Sequence, residues 1–295
     1  MTLATDAWER RGTMMDLGGY QVFVIDLTAG SESGREPLLV LHGFPTSSFD
    51  FHLVADGLAA DRRVVLFDLV GYGFSDKPDI AHTVDLQADV ALALTEALAL
   101  DRLALLTHDY GDTVGGELLA RQAEGRWPVE ITRRVLTNGS IYLAMAQLSA
   151  GQELLASLPD RRLPDGSPPD PDQLARGLVA TFGPDAAVDP EEVAGQVELV
   201  VRNGGQSLLP RTIRYLEERR RREGRFTGAI ERHPSPLGVV WGADDPIALV
   251  AMTDRLRRER PDATVTLLHG VGHFPMVEAP GRFLGAVTAA LGSRG

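Results

Sequence analysis

Cysteine is absent from the 295-residue chain, which excludes disulfides, thiolate zinc sites and thiol nucleophiles. Lysine occurs once, at Lys77, so arginine supplies the other 28 of the 29 positive charges. That skew is compositional and points to no function. Positive charge is itself short: against 41 Asp and Glu it leaves a net charge of −12, which repels phosphate backbones and argues against a nucleic-acid partner. No apolar run approaches the roughly 18–20 uninterrupted residues of a membrane helix. The first fifteen residues, with Asp6, Glu9, Arg10 and Arg11, lack the apolar stretch of a secretory signal. The expectation is a soluble cytoplasmic protein without a membrane partner.

What is present is globular in composition, 44% hydrophobic and 24% charged, and long enough for one large α/β domain with an insertion. Short apolar runs alternate with helical patterns, as in a mostly parallel sheet flanked by helices. Strands are predicted at Tyr20–Leu27, Pro37–His42, Arg63–Asp68, Leu103–Thr107, Arg134–Thr137, Leu237–Trp241 and Thr264–Leu268. Runs such as Val64-Val65-Leu66-Phe67 fit strands buried on both faces. Helices are predicted at Asp85–Leu100, Thr113–Gln122, Leu249–Arg260 and Gly281–Leu291. Between Thr137 and Leu237 no strand pattern occurs. The stretch passes through a turn-rich run from Pro164 to Pro171 and is otherwise helical to about Arg222. Residues 1–138 and 235–295 are therefore expected to form the α/β core, and 139–234 a helical cap inserted into it.

Sites in such sheets lie at the carboxyl ends of the strands. After the strand ending at Thr107 comes His108-Asp109-Tyr110-Gly111 and then a helix, the form of a nucleophile elbow with aspartate at its centre. After Trp241 comes Gly242-Ala243-Asp244-Asp245-Pro246, where Gly-x-x-Asp spacing favours Asp245 over Asp244 as the acid. After Leu268 comes His269-Gly270-Val271-Gly272-His273, a loop that glycine leaves free to turn an imidazole inward. The order nucleophile, acid, histidine matches the hydrolase arrangement. Blander roles remain open. An aspartate after a strand is usually a helix cap, and His42 and His108 read as packing residues. The two glycines separating His269 from His273 argue against a metal pair. The Gly71-Tyr72-Gly73 run lacks the third glycine of a dinucleotide loop and reads as a turn. Glu217 to Glu223 reads as a solvated helix face with Glu217→Arg221 and Glu218→Arg222 pairs.

Three segments, His42-Gly-Phe-Pro-Thr-Ser-Ser48, Gly71-Tyr-Gly-Phe-Ser-Asp-Lys-Pro78 and His108-Asp-Tyr-Gly-Asp112, carry a resemblance. From about Tyr20 to Leu291 the chain resembles the α/β-hydrolase superfamily, in the aspartate-nucleophile branch of epoxide hydrolases and haloalkane dehalogenases. Within that branch it is most similar to the mesoderm-specific transcript subgroup. The resemblance implies the α/β-hydrolase fold; neither a cofactor nor a metal is expected. It implies Asp109 as nucleophile, Asp245 as acid, His273 as base, and the backbone amides of Phe44 and Tyr110 as an oxyanion hole. A carboxylate nucleophile suits an sp3 carbon, where it gives an alkyl ester; at an ester carbonyl it would give an unstable anhydride.

The epoxide branch uses lid tyrosines to protonate the departing oxygen. Tyr215 lies 30 residues before Asp245 on a predicted helix, where that branch carries one such tyrosine, although it also suits an amphipathic packing role. Tyr142 is the other candidate and falls earlier than the branch's second tyrosine. Phe44, Tyr142 and Tyr215 are thus the expected substrate contacts, and Leu143, Met145 and Leu148 suggest a small hydrophobic substrate. A halide site would need an indole beside the nucleophile, and Trp8, Trp127 and Trp241 do not occupy that place. Dehalogenation is the second enzymatic reading. A fold retained for ligand or protein binding without turnover is the reading from a different class. A serine hydrolase ranks below both, because no Gly-x-Ser-x-Gly occurs.

Overall fold

The computed structural model describes residues 2–28, 34–164 and 166–292; Met1 of the N-terminal segment and Asp165 of the turn-rich run lie outside the described residues. Eight strands form one sheet: β1 (Thr13–Leu17), β2 (Tyr20–Leu27), β3 (Leu38–Leu41), β4 (Val64–Phe67), β5 (Arg102–His108), β6 (Glu130–Thr137), β7 (Leu237–Gly242) and β8 (Thr264–Leu268). Their order across the sheet is β1-β2-β4-β3-β5-β6-β7-β8. β2 runs antiparallel to β1 and β4, and all other pairs are parallel.

Period two along the central strands splits their side chains between two cores. Leu39, Leu41, Val65, Phe67, Leu103 and Leu105 face one layer, with Ala88, Leu94, Val114, Leu118 and Phe226. Leu38, Val40, Val64, Leu66, Ala104 and Leu106 face the other, with Phe49, Phe51, Phe283 and Val287. Such strands read as continuous apolar runs because neither face meets water, which is why the sequence shows them so plainly.

The polar strands were harder to see. β1 was not expected: only Leu17 of its five residues is buried, so it has no apolar alternation. Its one signal is Gly18-Gly19, which takes positive φ (65° and 86°) in the two-residue turn to β2. β6 starts at Glu130, four residues before the expected Arg134, because Glu130 is exposed and Thr132 and Arg133 are half-buried. The N-terminal helix Leu3–Glu9, capped by Thr2, also lies outside the expected elements; it buries only Thr5 and Trp8.

Between β6 and β7 the described residues form helices and no strand, apart from one isolated bridge between Ala146 and Ala248. The starts of these helices are written locally. Ser149 with Gln152 and Asp170 with Gln173 form reciprocal caps, and Pro171 and Pro190 occupy first-turn positions. The last helix, Tyr215–Arg232, continues ten residues past the expected end at Arg222, where its backbone kinks (φ −125°, ψ 20°).

That helix is not a solvated rod. It packs along the helix Tyr110–Ala123 over the sheet, with Phe226 and Ile230 in the core. Arg121, Arg222 and Arg225 converge on the fully buried Glu117 at 2.8, 3.3 and 3.0 Å. The expectation of a solvated Glu217–Glu223 face is corrected accordingly: Glu218 and Arg219 are buried. Glu218 lies 3.6 Å from Arg222 as expected, whereas Glu217 pairs with Arg214. No described helix is long and apolar enough to cross a membrane.

Candidate active site

The helix after β5 begins at Tyr110, directly behind Asp109, with no linker. Asp109 absorbs the whole strand-to-helix turn in a conformation (φ 48°, ψ −112°) that L-residues rarely adopt. Strain at a buried carboxylate of this kind marks a place where side-chain position outranks local comfort. Close packing explains the glycine two residues on: a Cβ at Gly111 would lie 2.4 Å from the Leu41 carbonyl oxygen.

The three strand-end groups converge. His273 Nδ1 is 2.8 Å from Asp245 Oδ2, and its Nε2 is 3.9 Å from Asp109 Oδ1. All three residues are buried. The other oxygen, Asp109 Oδ2, accepts the Phe44 amide at 2.9 Å, so the Phe44 loop already holds one carboxylate oxygen and leaves the other toward histidine. Tyr110 lies in the first turn of the helix behind Asp109. Asp245 Oδ1 accepts the amides of Ile247 (2.7 Å) and Ala248 (3.0 Å). Asp244 points elsewhere, accepting the Gly270 amide.

Burial by itself would pull the His273 imidazole down. The charge and hydrogen bond of Asp245, then Asp109 and Glu278, outweigh it and raise the group to about 9. His273 is therefore a cation between two carboxylates at neutral pH. His108, 5.1 Å from the His273 ring, goes the other way, to about 4, through burial and the neighbouring His273 charge. It contacts the His273 carbonyl through Nε2. His42 accepts the Leu69 amide on Nε2 and holds the Gly43 carbonyl on Nδ1. Both keep the packing character read from the sequence. The Gly71–Gly73 run is a turn, its end fixed by Asp68 on the Phe74 amide.

Tyr215, first residue of the long helix, packs its ring at a tilt against Tyr110 (centroids 4.3 Å apart), with the Phe44 ring centroid at 5.8 Å. Burial, then the Asp109 charge, push its phenol well above the ordinary 10, so it holds its proton at neutral pH. Tyr142 does not join this group, and its expected substrate contact is corrected. Its hydroxyl donates to Glu231 at 2.9 Å and Arg255 covers its ring. A cavity of about 300 Å³ adjoins Phe44 and His273, walled by Leu154, Leu155, Leu174 and Val200 among others. Leu143, Met145 and Leu148 pack against the core instead. A larger groove of about 670 Å³, between helices Pro171–Val179 and Pro190–Val201, touches none of these groups.

Sequence reasoning missed two supports. Asn138, at positive φ after β6, donates to Asp245 Oδ2 at 2.8 Å and accepts the Gly242 amide; a polar residue right after a strand end was its signal. Glu278 accepts the amides of Gly183, Gly272 and Phe274, clamping the histidine loop. Nothing in the sequence pattern marked it. All three indole N–H groups are engaged by protein oxygens, at Ser48, Thr95 and Ala248.

Fold and site together define a hydrolase of the α/β type, and residues 38–286 match the Alpha/beta hydrolase family, to which the chain belongs. It is 36% identical over 291 residues to the protein named as a hydrolase, LipZ, of Mycobacterium tuberculosis, covering 96% of both chains. It is 30% identical to the human mesoderm-specific transcript homolog protein, over 98% of this chain and 88% of that one. Among solved structures, an alpha/beta hydrolase fold protein from Burkholderia ambifaria superposes with a TM-score of 0.73 at 22% identity, covering 94% of this chain and 99% of that one. The meta-cleavage product hydrolase CumD, in its A129V form, gives 0.75 at 17% identity, covering 95% and 97%.

Proposed function

We propose that the chain hydrolyses a hydrophobic epoxide to a diol through an ester on Asp109, without a cofactor. The observation that carries this reading is a carboxylate at the strained elbow, one oxygen held by the Phe44 amide and the other facing His273. Acyl substrates are the poorer fit, since a carboxylate would convert them to an anhydride. An sp3 carbon gives a stable ester, and an epoxide's departing alkoxide needs the proton that Tyr215 retains. The cavity walls favour an apolar substrate. Helices from residue 139 to about 214 would form the cap. Tyr215–Arg232, packed on the sheet's own helix, would belong to the core and present Tyr215 at the seam.

In this mechanism Asp109 Oδ1 bonds to a ring carbon as the carbon–oxygen bond breaks, and Tyr215 gives its proton to that oxygen. Esterification removes the Asp109 charge, one of the causes that hold His273 up. The imidazolium then yields its proton more readily, which restores the phenol, and neutral His273 takes a proton from water as it attacks the Asp109 carbonyl carbon. The Phe44 and Tyr110 amides receive the resulting oxyanion. Its collapse breaks the bond from the carbonyl carbon to the alkyl oxygen, which takes the proton of the newly added hydroxyl. The diol leaves, the Asp109 carboxylate is restored, and His273 is again the imidazolium that Asp245 keeps oriented.

The test compares wild type with Tyr215→Phe on an epoxide and a bromoalkane. A positioned acid contributes about 10²–10⁴-fold, so epoxide opening should fall by that order while any bromide release barely changes. Bromide release without epoxide turnover would replace this reading with dehalogenation, a reading the engaged indoles disfavour. Turnover of neither would favour a non-catalytic binding protein.

A further inference from the structure

Arg219 takes no part in the steps above, yet it lies inside the protein, 2% exposed. Among the described residues it forms no ion pair with a carboxylate. A buried cation without such a partner is expensive to keep, so what it holds is informative. Its Nε donates to Thr113 Oγ1 at 2.8 Å, one terminal nitrogen donates to the Ser140 carbonyl at 2.7 Å, and the other reaches the Asp109 carbonyl at 3.5 Å. Thr113 lies one turn beyond Asp109 on the elbow helix, so the guanidinium is pinned to the turn that carries the nucleophile. On its own helix Arg219 follows Tyr215 by four residues, which places both on one face. Its guanidinium carbon is 5.4 Å from the centroid of the Tyr215 ring, and Tyr110 packs against that ring as well.

We propose that Arg219 is a positioning residue for the Tyr215 proton donor: it locks the tyrosine to the nucleophile's turn and supplies the cation beside which the phenolate forms. The proposal deepens the epoxide reading and rests on it. As the Asp109–carbon bond forms and the carbon–oxygen bond breaks, the proton leaves Tyr215 Oη for the departing oxygen. The site then holds a phenolate where it held a phenol, and the fixed charge of Arg219 offsets it in surroundings poor in water. In the resting protein the same charge acts in that direction, pulling the Tyr215 phenol down against burial and Asp109. The second half-reaction runs through His273 and has no use for Arg219.

The test is a double-mutant cycle of wild type, Tyr215→Phe, Arg219→Gln and the double variant. Ester formation on Asp109 is followed in single turnovers with styrene oxide, and ester hydrolysis is followed separately. Arg219→Gln should slow ester formation about ten- to a hundredfold, within the coupling range of contacting residues. In the Tyr215→Phe background it should have almost no effect, and ester hydrolysis should keep its rate. Arg219→Lys, which keeps the charge but not the forked anchoring, is run through the same cycle and should recover part of the loss; it also serves if Arg219→Gln does not fold. Equal losses in both backgrounds, or equal slowing of both steps, would show a merely structural arginine and overturn the proposal while leaving the epoxide reading intact. If wild type forms no ester with styrene oxide or other hydrophobic epoxides, the reading and the proposal fall together.

Discussion

Asp109 and His273 share one electrostatic problem, since a buried imidazolium is tolerable only while carboxylates surround it. Removing the Asp109 charge without changing its shape should therefore expose the coupling. Asp109→Asn should lower the His273 value from about 9 by on the order of one pH unit, read from imidazole chemical shifts in an NMR titration. An unchanged value would mean that Asp245 and Glu278 alone hold the charge and that esterification cannot release it. At this scale the sequence was informative on the loops that leave strand ends, where Asp109 follows β5 directly and Asp245 and His273 lie three and five residues past β7 and β8. It was misleading for Tyr142, because chain position says nothing about where a phenol turns; Glu231 and Arg255, both remote in sequence, decide that. Arg219 was hidden for the same reason. Seven charged residues in a row, Glu217 to Glu223, read as surface until the opposing helix is known.

At the scale of elements, the elbow is the most constrained joint in the fold. β5 passes into its helix through one strained residue, and Gly111 is pressed against the backbone of β3. Gly111→Ala cannot be relieved by a side-chain rotation, so it should destabilise the protein by about 1–3 kcal/mol, the usual cost of forcing atoms into a packed core. Chemical denaturation measures this; a loss under about 0.5 kcal/mol, the range of a neutral surface change, would show that the turn gives way. The buried parallel strands were legible because burial on both faces forces continuous apolar runs. β1 and the start of β6 were not, because an exposed edge or half-polar strand has no such requirement. The helix Tyr215–Arg232 was only partly legible: its kink at Arg222 coincides with the place where the helical pattern gave out.

Across the whole molecule several buried groups pull in one direction with pH. Burial raises Asp50 from 3.8 to about 7 and Asp112 from 3.8 to about 8. Each folded carboxyl holds its proton longer than the unfolded one, so their contribution is present below 3.8 and lost as pH rises through about 7 and 8. His273, raised from 6.5 to about 9, contributes fully below 6.5 and loses that contribution through 9. Asp85, held down chiefly by its hydrogen bond to Arg222, acts in the opposite window, losing its contribution only as pH falls below the ordinary carboxylate range. Lys77, pulled from 10.5 to about 8 by burial, opposes His273 above pH 8, so the melting temperature should fall between pH 6.5 and 8, and Asp112→Asn should flatten that fall. A curve that rises over this interval would mean the buried acids are charged in the native state. The proposed chemistry turns on a bond rather than a titration: an alkyl ester on Asp109. Its most direct measurement is mass spectrometry of the intact and digested His273→Gln variant after mixing with styrene oxide. An added mass equal to the epoxide is expected, located on the peptide containing Asp109 and absent from Asp109→Asn. An unmodified Asp109 peptide in a variant that still consumes the epoxide, or the adduct on any other residue, would contradict it.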